Sequence, residues 1–123
     1  MKRTVLLILF LSLSTFTINV SGEGTTESQE TLYQDALLTL ISKDVANDIA
    51  GYYGEHRNFH LTSVKILELK RITDNAKDRP FEFELKIQVE TWEEPTNKQG
   101  LETILMHVGS SGTLVLEYSH KDI

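Results

Sequence analysis

No cysteine occurs among the 123 residues. That excludes a disulfide framework, a thiolate nucleophile, thiolate metal ligands and any acceptor for a lipid anchor. Proline is nearly absent, at Pro80 and Pro95 only, and Trp92 is the single tryptophan. Basic residues are scarce too, 12 against 18 acidic ones for a net charge of −6. Nucleic acids and anionic membranes need clustered Lys and Arg to displace counterions, so neither is the partner this balance favours. Stability has to come from an apolar core, and a chain of this length holds one domain.

There is no apolar run of the roughly 20 residues that a membrane-spanning helix requires. What the chain has is Lys2 and Arg3, then Val5 to Leu13 broken only by Ser12, then Val20-Ser21-Gly22. A short positive region, a short apolar stretch and small residues make residues 1–22 a signal peptide cleaved after Gly22, with an uncleaved anchor as the alternative. The expected location is secreted or extracytoplasmic, with no integral span after cleavage. Without Lys2 and Arg3 the balance becomes 10 basic against 18 acidic residues, or −8. Residues 23–30 (EGTTESQE) have nothing to bury and read as a disordered lead-in, leaving 31–123 as the folded unit.

The strongest pattern is Phe81 to Trp92, FEFELKIQVETW. Phe81, Phe83, Leu85, Ile87 and Val89 alternate with Glu82, Glu84, Lys86, Gln88 and Glu90, the period of a half-buried strand. Upstream, Tyr33, Leu37, Leu40, Ile41, Val45, Ile49, Tyr52 and Tyr53 recur at helical spacing, with Thr31 as the expected cap and Gly54 as the stop. Ser42-Lys43-Asp44 leaves open one bent helix or two abutting ones. Glu55 to His60 reads as a polar connector. Leu61 to Ile72 reads as a strand whose apolar Val64, Ile66, Leu67 and Leu69 fit either a central position or a bulge that switches faces. Thr73 to Arg79 is a turn cluster. Leu101 to Val108 and Thr113 to His120 are two further strands, joined by a hairpin at Gly109-Ser110-Ser111-Gly112, with Leu114, Leu116 and Tyr118 sharing a face. The fold class is therefore α+β: an N-terminal helix on a four-stranded antiparallel meander, cystatin-like in outline.

Chemistry-bearing constellations are few. His56 and His60 stand four apart, but Gly54 ends the helix before them and their order is not that of a zinc protease. No serine lies in a nucleophile elbow, no glycine loop cradles phosphate, and Glu93-Glu94 reads as a solvated pair. No catalytic residue, metal ligand or cofactor is assigned. Trp92 ends the central strand beside the longest polar connection, Glu93 to Gly100, and tryptophan is enriched at binding hot spots. Trp92, Glu93, Glu94, Asn97 and His120 are the candidate binding residues; for Trp92 the plainer reading is that it covers the core edge.

The helix start LYQDALLTLI, its end IAGYYGE, KILELKR, FEFELKIQVETW, and GLETILMHV with VLEYSH resemble a family of small secreted proteins of spore-forming Gram-positive bacteria whose function is not established. The likeness runs from Leu32 to Lys121. Its most telling features are Tyr52-Tyr53-Gly54, Gly100-Leu101-Glu102-Thr103-Ile104 and His120. Relatives often carry a His-Asn-Pro-Pro-Tyr-Gly type of run where this chain has Thr96-Asn97-Lys98-Gln99-Gly100, so any activity resting on that histidine and tyrosine is altered here. The resemblance implies a location and hands over no catalytic residues. The inhibitory Gln-x-Val-x-Gly loop of cystatins is not matched. The leading expectation is a non-enzymatic module that binds a protein or peptide at the cell envelope; the alternative is a small-molecule-binding domain or hydrolase using His107 and His120.

Overall fold

The computed structural model describes residues 27–72 and 80–123; the expected signal peptide, the first half of the lead-in and the Thr73 to Arg79 turn fall outside them. Helix α1 spans Gln29–Tyr53. Ser28, not Thr31, is its cap: the Ser28 hydroxyl accepts the Thr31 N–H at 3.1 Å, which satisfies one of the free donors of the first turn. The helix thus takes in the last two residues of the expected lead-in. It runs through Ser42-Lys43-Asp44 unbroken, because the Ser42 hydroxyl donates to the Thr39 carbonyl at 2.9 Å instead of capping a new start. Gly54 ends it in the left-handed region at φ 75, where a side chain would be strained.

Among the described residues five antiparallel strands follow where four were expected: β1 (Asn58–Phe59), β2 (Lys65–Arg71), β3 (Phe83–Trp92), β4 (Gln99–Gly109) and β5 (Gly112–Asp122). The extra one, β1, lies in the stretch read as a polar connector and pairs Asn58 and Phe59 with Trp92 and Thr91. A single 3-10 turn, Leu61–Ser63, separates it from β2, so both lie along the same side of β3. β4 takes the other side, and β5 completes the order through a tight turn at Ser110-Ser111 with Gly112 at φ 123.

The parity of β3 is as the alternation predicts, with Leu85, Ile87, Val89 and Thr91 facing inward, but Phe81 lies ahead of the strand and is exposed. From α1, Leu38, Ile41, Val45 and Ile49 meet this face, together with Val64, Ile104 and Met106. Tyr33 and Leu40, counted in the expected stripe, are exposed, while Leu38, left out of it, is buried.

Two bulges alter the expected faces. On β2, Ile66 pairs with Ile87 and Glu68 with Lys86, leaving Leu67 as the extra residue; Ile66 and Leu69 therefore both turn toward the helix side. The face-switching bulge is present, but β2 is an edge strand. On β5, Glu117 pairs with Leu105 and Val115 with Met106, so Leu116 is extra. Tyr118, opposite Ile104, points inward, whereas Leu114, opposite His107, points outward; the two do not share a face.

Candidate functional site

The inward face of β4 carries Glu102 in line with Ile104 and Met106, and its side chain is 0% exposed. A carboxylate buried among apolar neighbours costs several kcal/mol unless hydrogen bonds replace its water. Here they do. The Tyr53 hydroxyl, at the last residue of α1, donates to Glu102 Oε1; the Thr91 hydroxyl donates to the same oxygen at 3.0 Å; and His120 Nδ1 lies 3.0 and 3.1 Å from the two oxygens. His120 Nδ1 is also 2.8 Å from the Tyr53 hydroxyl, and its Nε2 lies 2.7 Å from Asp122 Oδ1. The imidazole thus sits between a buried carboxylate and one whose side chain is 95% exposed. The hydrogen bond to Asp122, joined by those to Glu102, holds its pKa above the ordinary value against the opposing effect of burial.

Gly100 makes this packing possible. A Cβ there would lie 2.7 Å from Glu102 Oε1, 2.8 Å from His120 Cε1 and 2.9 Å from the Tyr53 hydroxyl. Burial, then the hydrogen bond to Glu102, pushes the Tyr53 hydroxyl up to about 12, and burial, then the Glu102 charge, raises Tyr118. Tyr118 stacks on Tyr52 with ring centroids 4.3 Å apart, and its own buried hydroxyl has no hydrogen-bond partner among the described residues.

Arg57 ties this cluster to the loop. Buried beside the Tyr53 ring at 4.1 Å, it donates from Nε to the Thr91 hydroxyl at 2.9 Å and from Nη2 to the Lys98 carbonyl at 3.1 Å, with Glu93 3.9 Å from Nη1. The Glu93 N–H donates to the Lys98 carbonyl at 2.9 Å, closing the base of the loop. Beyond that base the Glu94–Pro95 peptide is cis, and Asn97 takes a left-handed conformation at φ 52, which asparagine tolerates better than most residues. On the outward side this fixed loop borders a cleft of about 270 Å³ lined by His60, Ser63, Glu90, Trp92, Asn97 and Gln99 among others. The His60 and Trp92 rings meet there, 4.6 Å apart at 43°.

The expected residues therefore separate. Trp92 and Asn97 line the cleft, Glu93 lies behind it in the Arg57 anchor, Glu94 is exposed and outside it, and His120 belongs to the inward cluster. His107 pairs with Glu84 and Leu114 on the outward face and approaches Glu82 at 3.8 Å. It is on the opposite side of the sheet from His120, so no site holds both, and the expected His107/His120 pairing is corrected. Among the described residues, no cluster of three or more His, Asp or Glu is arranged to hold a metal ion.

Arg57, Thr91 and Glu102 are not among the expected site residues, and Tyr53 is expected only to pack the end of the helix. One signal was available: Glu102 has the parity of Ile104, Met106 and Val108, so a strand there buries an acid. Arg57 gave none.

One helix on an antiparallel sheet, with a buried carboxylate cluster at the end of that helix and a cleft beside it, defines a small α+β domain. The chain belongs to the DUF3888 family, proteins of unknown function, whose profile matches residues 33–122. No curated protein and no solved structure matches it, so no fold name or activity is carried over. Three features that carried the resemblance, Tyr53, Gly100-Leu101-Glu102 and His120, come together in the buried cluster.

Proposed function

We propose that the protein is a non-enzymatic extracytoplasmic module that binds a protein or peptide at the cell envelope through the cleft beside Trp92. The observation that carries this reading is that the cleft is preformed: buried Arg57 fixes the loop against Thr91, and the Trp92–His60 pair offers an aromatic surface ringed by Glu90, Asn97 and Gln99. A rigid aromatic anchor with convergent polar groups loses little freedom on binding. Secretion is supported by the signal-like residues 1–22 and by the resemblance to small secreted proteins of spore-forming bacteria. Among the described residues no helix is long and apolar enough to cross a membrane.

Capture of envelope proteins from the producing cell, compared between the native chain and Trp92→Ala, tests the assignment. Loss of the captured species is expected, with Trp92 fluorescence shifting on binding. Unchanged capture by Trp92→Ala and by a chain with residues 93–99 replaced would remove the cleft from the reading.

A second reading has one observation behind it. Glu102 holds His120 by Nδ1 and leaves Nε2 toward the exposed Asp122, the orientation in which a carboxylate prepares an imidazole for proton transfer. This favours the small-molecule or hydrolytic alternative at His120 alone, without His107.

A further inference from the structure

The first half of α1 carries more apolar surface than the core uses. Leu38, Ile41, Val45 and Ile49 form the buried stripe, while Tyr33, Leu37 and Leu40 recur at i, i+4 and i+7 about 120° around the helix from it, at about 100° per residue. Tyr33 and Leu40 of this second stripe are exposed, and Leu37, half-buried, packs against the edge of the core. Tyr33 and Leu37, with Glu30 and Gln34, form one wall of a groove of about 500 Å³ whose other wall is Ile66 to Leu69 of β2. Tyr33 is 70% exposed, Leu67 48% and Leu69 50%. Of the seven residues of β2, only Ile66 is even half-buried.

β2 pairs with β3 along one side, and among the described residues no strand lies along the other. A groove between a helix and an unpaired strand edge is the setting in which an extended peptide adds a strand, main chain to main chain, with alternate side chains entering the groove. The rim is acidic: Glu30 and Glu68 stand at the groove, and neither is ion-paired among the described residues. None of the basic side chains of β2 lines the groove: Lys70 pairs with Glu84 at 3.4 Å, Arg71 donates to the Pro80 carbonyl, and Lys65 stands at the start of the strand outside the lining.

We propose that the groove between α1 and β2 is a second binding site, taking an extended peptide segment with alternating apolar side chains and flanking basic residues by strand addition to β2. It lies apart from the Trp92 cleft and shares no lining residue with it. An apolar peptide wall explains the exposed Tyr33, Leu67 and Leu69, and the free edge supplies main-chain partners that a hydrophobic small molecule would leave unused.

The probe is a synthetic octapeptide alternating Leu with Thr and carrying Lys at both ends, titrated against the full chain by fluorescence anisotropy, with amide shifts followed by NMR. Binding is expected to shift amides of Lys65–Arg71 and to be at least about tenfold weaker for Leu67→Lys and Tyr33→Ala, where about 1.4 kcal/mol is a factor of ten. Both residues are exposed, so the fold is retained, as circular dichroism checks. The double reversal Glu30→Lys with Glu68→Lys is expected to exchange preference toward a Glu-ended peptide, and Trp92→Ala to change nothing. Equal binding of a backbone N-methylated peptide, no binding at all, or shifts confined to the Trp92 cleft would overturn strand addition here. A concentration-dependent dimer lost in Leu67→Lys, with no peptide bound, would do the same by assigning the groove to a second copy.

Discussion

The two ends of α1 meet the sheet in opposite ways. At its C-terminal end Tyr53 reaches into a closed polar cluster where Glu102, Thr91 and His120 saturate one another and Gly100 leaves no space for a methyl group. At its N-terminal end Tyr33 and Leu37 face β2 across an open groove with apolar side chains half in solvent. Ordinary expectation would put apolar contacts inside and carboxylates outside. Here the tightly held end is the polar one. Directional hydrogen bonds fix one geometry, whereas an uncovered apolar wall accepts whatever fills it.

The largest effect should come from removing the hub. Glu102→Ala strips Tyr53, Thr91 and His120 of their common acceptor and should lower stability by about 3 to 5 kcal/mol in urea unfolding, while Tyr33→Ala at the open end should stay within about 0.5 kcal/mol. Comparable losses at the two ends would abolish the contrast. Gly100→Ala comes next. Its methyl group collides with three cluster atoms, and an overpacking cost of about 1 to 3 kcal/mol is expected in the same assay, with the His120 ring signals displaced in NMR spectra.

Smaller still is a pH effect. The folded pKa of His120 is raised, so folding binds its proton more tightly than the unfolded chain does. The stabilisation is complete below the unfolded value near 6.5 and fades as pH rises through the higher folded value. Melting temperature should therefore fall over that interval, and His120→Gln should flatten the fall. A profile unchanged by the substitution would separate His120 from the stability of the Glu102 cluster.

The closed end was legible only in fragments. Alternation in Phe83 to Thr91 revealed the central strand because its two faces differ in polarity at nearly every step. Gly54 revealed the helix stop through its conformational freedom. The cluster itself joins residues 49 and 67 positions apart, and no local pattern records such a meeting. Trp92 ends β3 beside the loop, as its place in the alternating run implies, yet the residue that holds that loop, Arg57, is an isolated arginine in a polar stretch. β1 was missed because two residues are too short to show a period. The exposed Tyr33 and Leu40 were drawn into the core stripe because spacings of three and four join adjacent helical faces as readily as they define one.

Both outer strands of the sheet, β2 and β5, carry a single extra residue, Leu67 and Leu116. A flexible segment can follow the local bend that such a residue imposes, but the flat margin of another folded copy cannot match it over its length. The same irregularities that spoil the alternation in the sequence therefore disfavour edge-to-edge pairing with another copy along both margins.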